Sequence, residues 1–96
     1  MCEAMNYSNV AKLFLSKRNV VHLVLKHKYY NAIDDNDKKI EYRDNTAFWR
    51  KRIIGKRYVT FHKGYTNVTM TFKISKIEVD EDSEMILIYL GERINV

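Results

Sequence analysis

Lys38-Lys39-Ile40-Glu41-Tyr42-Arg43 alternates charge with bulk, and Phe48-Trp49-Arg50-Lys51-Arg52 follows it closely. A period of two is the signature of a β-strand, whose successive side chains point to opposite faces. On such a strand Lys39, Glu41 and Arg43 share one face, and Lys38, Ile40 and Tyr42 share the other. Two cations around a carboxylate suit an anionic or polar ligand better than a core. The same pattern fits an exposed edge strand whose charges discourage edge-to-edge aggregation.

Read with its flanks, Asn36-Asp37-Lys38-Lys39-Ile40-Glu41-Tyr42-Arg43 resembles the G-x-K-x-x-E-x-R signature of ASCH domains, relatives of the PUA domain. Lys38, Glu41 and Arg43 match the signature, and Asn36 stands where the family usually has glycine. Asparagine is the next best residue for a left-handed backbone, so the departure is mild. The likeness continues in order: Val21 to Leu25 as a first strand, Tyr29 to Ile33 as a short helix, and Trp49 with Arg52 after the motif. A later strand ending in Phe61-His62-Lys63-Gly64-Tyr65 completes it. The resemblance spans about residues 20 to 92. It implies an α+β fold, a small mixed PUA-like β-barrel of about five strands with short inserted helices, and a ligand cleft beside the signature.

The remaining segments fit that frame. Residues 6 to 17 predict an additional N-terminal helix, with Ser8 as N-cap and Val10, Leu13 and Phe14 on one face. Residues 1–19 are thus a helical extension and residues 20–96 the ASCH/PUA-like barrel domain. Val20 to Leu25 is nearly all apolar and β-branched, which predicts a buried strand with His22 as a hydrogen-bonded core residue. Lys28 to Ile33 forms a turn or two of helix anchored by Tyr29 and Ile33, and Asp34-Asp35-Asn36-Asp37 is a turn. Asp44-Asn45-Thr46 supplies caps for a helix through Arg52. Tyr58 to Lys63 is a strand, and Gly64 to Asn67 its turn. Val68, Met70, Phe72 and Ile74 then alternate inward with Thr69, Thr71, Lys73 and Ser75 outward. The phase changes at Ile77, which predicts a bulge near Ser75-Lys76. Asp80 to Ser83 is an acidic turn, and Met85 to Leu90, apolar on both faces, is a central strand.

Ninety-six residues support one modest core, and 46% hydrophobic with 30% charged residues describes a folded domain. The single cysteine, Cys2, excludes a disulfide framework. No apolar run nears the roughly 18 residues of a membrane span. A cytoplasmic monomer is the expectation. His22, His27, His62 and Cys2 lack zinc-site spacing, so no metal is expected. The scattered glycines form no phosphate loop, so no cofactor is expected either.

Charge is divided along the chain. Residues 38 to 63 hold nine Lys or Arg against Glu41 and Asp44, while residues 77 to 96 hold six acids against Arg93. A concentrated positive region attracts phosphates and gains by releasing their counterions. The expected function is binding of RNA or a nucleotide-like ligand in a basic cleft formed by Lys38, Glu41, Arg43, Trp49, Arg50, Arg52, His62 and Lys63. Glu41 would accept from a base amine, Arg43 would meet phosphate or hold Glu41, and Trp49 would stack on a base or plug the barrel. Glu41→Ala is then expected to disturb recognition more than folding.

Two alternatives stand beside this one. ASCH relatives include amidohydrolases acting on a modified cytidine and a ribonuclease, which implies an enzyme working from the same cleft, with Lys38 and Glu41 as its candidate catalytic residues. The amidohydrolases carry a nucleophilic Thr where this chain has Glu41, and a carboxylate does not replace that hydroxyl. The other alternative is an accessory module whose basic face meets an acidic protein partner.

Overall fold

In a computed structural model, which describes residues 19–94, the elements follow as β1 (Val20–Leu25), α1 (His27–Asp34), β2 (Ile40–Asp44), α2 (Ala47–Ile53), β3 (Tyr58–Lys63), β4 (Thr69–Asp80) and β5 (Met85–Ile94). The helix expected over residues 6–17 lies outside the described residues. All five strands join one sheet in the order β1-β3-β4-β5-β2. β1 and β3 run parallel, with Val20 beside Tyr58 and Leu25 beside Lys63, and the other pairs are antiparallel. Register slips between Phe72 and Ile74, and again between Ile74 and Lys76. That irregularity is the bulge the change of hydrophobic phase predicts, and it bends the long β4–β5 hairpin. Beside it Gly91 lets the strands approach closely: a Cβ there would sit 3.2 Å from the Lys73 carbonyl oxygen.

The sheet curls into half a barrel instead of closing. β1 and β2 are its two edges, and no ladder joins them. A side chain spans the seam: Arg43 on β2 donates from Nη2 to the Val24 carbonyl of β1 at 3.2 Å. Leu23, Phe61, Ile86 and Ile88 fill the concave face, with Ile33 from α1 and Ile53 from α2 packed against them, all almost completely buried. Each such side chain contributes about 1.5–3 kcal/mol by leaving water, so this apolar filling is what holds the curl. Among the described residues every buried side-chain nitrogen or oxygen has a hydrogen-bond partner.

Several expectations change. β1 is an edge strand of the sheet, and its burial is incomplete: Val20, Val21, Leu23 and Leu25 are buried while His22 and Val24 are exposed, so His22 is no core residue. In α1 the buried aromatic is Tyr30, one position from the expected Tyr29, since Tyr30 and Ile33 share the inward face. Val68 precedes β4 and is exposed, while Thr71 is buried and shares a 2.8 Å hydrogen bond with Thr60 across the ladder. Lys38 precedes β2, so the strand's alternation does not apply to it.

Candidate functional site

The end of α1 positions Lys38. Asn36 adopts a left-handed conformation at φ 65°, its N–H donates to the Ile33 carbonyl, and the Asp37 N–H donates to Ala32. This pair of bonds is a Schellman cap, which needs a residue tolerant of positive φ just past the helix. Glycine or asparagine therefore belongs two residues before Lys38. Lys38 then donates its own N–H to Ala32, and its ammonium turns toward β2.

At the centre lies Glu41, only 4% exposed. One carboxylate oxygen accepts from Lys38 Nζ at 2.9 Å, and the other from Arg43 Nε at 3.1 Å. Alternation along β2 points Glu41 and Arg43 inward beside Ile88 and Ile86 of β5. Burying a carboxylate is costly unless cations and hydrogen bonds satisfy it, and here one cation serves each oxygen. Arg43 is the more committed of the two cations, since it holds Glu41, the Val24 carbonyl and, at 5.0 Å from the ring centroid, the face of Trp49.

Two aromatic rings flank this triad. Trp49 is set by α2, whose N-cap Thr46 accepts from the Trp49 N–H at 3.2 Å. Tyr29, on the exposed side of α1, carries the ammonium groups of Lys38 at 4.9 Å and Lys28 at 5.0 Å over its ring. Between them the seam opens into a cleft of about 330 Å³ lined by Lys26, Tyr29, Glu41, Arg43 and Trp49, among others. The cleft thus brings together two aromatic side chains, a carboxylate fixed by two cations, and the Lys26 ammonium.

Of the expected site residues, Lys38, Glu41, Arg43 and Trp49 come together. Arg50 does not join them: its guanidinium donates to Asn45 Oδ1 at 2.7 Å and to the Asn45 carbonyl at 3.2 Å, tying down the start of α2. Arg52 lies over the Phe48 ring at 4.2 Å, beside a second hollow that Trp49 also lines. His62 bonds His22 at 2.9 Å, and Lys63 approaches the Tyr30 ring at 5.8 Å. Tyr29, Lys26 and His22 were not among the expected residues. The two tyrosines of α1 offered a signal for Tyr29, because only one can face the core. Partial burial and the neighbouring His62 ring both pull the His22 pKa below the usual imidazole value.

Among the described residues no group of three or more His, Cys, Asp or Glu is placed to hold a metal ion. No described helix is long and apolar enough to cross a membrane. No protein-family model matches the chain. No curated protein matches it in sequence.

Proposed function

We propose that this chain is an ASCH/PUA-like domain that binds single-stranded RNA, or a nucleotide-like fragment of it, in the cleft between Tyr29 and Trp49. The observation that carries this reading is the buried Glu41 carboxylate, held by Lys38 and Arg43 in a cleft that Tyr29 and Trp49 also line. A base entering the cleft stacks on Tyr29 or Trp49, each stack contributing about 1–3 kcal/mol. Its exocyclic amine donates to Glu41, whose oxygens have lone pairs beyond those facing the cations. Lys26, which lines the cleft, meets a flanking phosphate. The resemblance of Lys38, Glu41 and Arg43 to the ASCH signature favours the same cleft.

A duplex buries its base edges and faces, so it does not fill such a cleft. The test is a titration with single-stranded RNA, duplex RNA and single-stranded DNA at two salt concentrations. Tyr29→Ala is the informative variant, because Tyr29 is exposed and its loss leaves the core alone. Salt-sensitive binding to single strands, weakened by Tyr29→Ala in a chain with unchanged circular dichroism, supports the proposal. Absence of binding to every nucleic acid at low salt overturns it and turns attention to an acidic protein partner. Turnover of a bound oligonucleotide, lost in Lys38→Ala, would establish the enzymatic alternative.

A further inference from the structure

Trp49 also lines a larger concavity that the signature residues do not reach. This hollow, about 640 Å³, runs between the start of β1 and α2 and is bounded by His22, Phe48, Trp49, Lys51, Arg52 and Lys56, with Val20 and Val21 at its base. Phe48 stands edge-on to Trp49 with ring centroids 5.0 Å apart and is 56% exposed. The cleft uses Val24, Leu25 and Lys26 of β1, and the hollow uses Val20, Val21 and His22. Both therefore lie along one strand, which is an edge of the sheet. At about 3.3 Å per residue, Val20 and Val24 are roughly 13 Å apart, a span of a few nucleotides.

The parallel ladder sets His22 beside Thr60 and Val24 beside His62, so both imidazoles leave the same face of the sheet. They meet with His22 Nδ1 2.9 Å from His62 Nε2, the rings tilted at 45°. One N–H satisfies that contact when one or both rings are neutral; two imidazolium rings would set donor against donor. The pair thus accommodates one added proton and resists a second. Lys51, Arg52 and Lys56 face His22 from α2 and the turn after it, and His62 faces it from β3. Among the described residues no carboxylate lines the hollow. Partial burial and the His62 ring discourage a proton on His22, and a phosphate entering the hollow would favour one.

We propose that the hollow beside Trp49 is a second subsite for the same RNA strand, holding a backbone phosphate, and that the His22–His62 pair takes up a proton when that phosphate binds. This rests on the RNA-binding reading above and adds to it a path along the β1 edge and a dependence on pH. The strand passes from the cleft over Trp49 to Arg52 and His22. His22 Nε2, the ring nitrogen not engaged with His62, donates to the phosphate, and the proton gained resides on the pair.

The experiment is fluorescence anisotropy of a labelled ten-nucleotide single-stranded RNA with the full chain, from pH 8 to pH 5.5 at constant ionic strength. Uptake of one proton makes affinity rise as pH falls, by up to about tenfold per pH unit. His22→Gln and His62→Gln should flatten that slope, whereas His27→Gln should keep it. His22→Lys places a permanent charge in the hollow and should bind nearly as tightly at pH 8 as the wild type does at pH 6. RNA binding with no slope, or a slope unchanged in folded His22→Gln, overturns the proton-linked subsite and leaves the cleft reading standing. Loss of all RNA binding at every pH overturns both.

Discussion

Glu41 is both a candidate recognition group and a buried charge, and the second role governs how it should be tested. Hydrogen bonds involving charged groups contribute about 1.5–3 kcal/mol, and Glu41 accepts from two cations. We predict that Glu41→Ala lowers unfolding stability by about 2–3 kcal/mol in urea titration, because Lys38 and Arg43 are then left facing each other over a void. This revises the expectation that the substitution acts on recognition more than on folding, and it is why Tyr29→Ala is the cleaner probe of the cleft. Asn36 gives a second residue-scale prediction. Its φ of 65° is costly for most L-residues, by roughly 1–2 kcal/mol. Asn36→Val should therefore lower the melting temperature, and Asn36→Gly should not. The motif was legible through its resemblance to a known signature, and the turn before it because asparagine tolerates the left-handed backbone that Asn36 adopts. That Arg43 would hold Glu41 followed from their shared strand face, but that Lys38 would turn onto it was not legible, because strand alternation assigns Lys38 to the other face when the strand starts only at Ile40.

At the scale of elements, periodicity located β2, β3, β4, β5 and both described helices, since each carries a clear alternation, cap or turn. It misread β1. An apolar run such as Val20 to Leu25 looks the same whether strands or helices cover it, and only the topology reveals that β1 is an edge. The pairing of His22 with His62 is likewise set by a parallel register between residues far apart in sequence. A pH effect on stability follows from that pair. His22 in the folded chain titrates below its ordinary value of 6.5, so folding disfavours its proton. The corresponding stability is complete above the unfolded value, declines as pH falls below it, and levels off once the folded value is passed. Melting temperatures of the wild type should therefore drop from pH 7.5 to 5.5 by more than those of His22→Gln. On α2 the neighbouring arginines separate by role. Arg50 is bound to Asn45, whereas Arg52 borders the hollow. We predict that Arg52→Ala lowers the slope of log affinity for single-stranded RNA against log salt by about 0.7, the loss of one phosphate contact, and that Arg50→Ala changes it little.

For the molecule as a whole, the split of charge along the sequence becomes a division between elements. Cations gather on α2 and around the seam, while Glu78 to Glu84 surround the tip of the β4–β5 hairpin. The ion pair between Arg93 at the end of β5 and Asp34 at the end of α1, at 2.6 Å, ties the helix to the end of the hairpin opposite its acidic tip. The parallel pairing of β1 with β3 also bears on how the chain reaches this state. The β4–β5 hairpin joins neighbouring segments through a short turn, but Val20 must find Tyr58 after α1, β2 and α2 have intervened. Loop closure of that length sacrifices entropy before any contact compensates it, so such pairings form late. The hairpin and β3 should therefore constitute the folding nucleus, with β1 docking after the rate-limiting barrier. Conservative substitutions such as Ile88→Val in β5 should mainly slow refolding, whereas Leu23→Val in β1 should mainly accelerate unfolding. A strand that docks last is also the first to detach in native-state fluctuations, so the amides of β1 should exchange with solvent deuterium before those of β4 and β5.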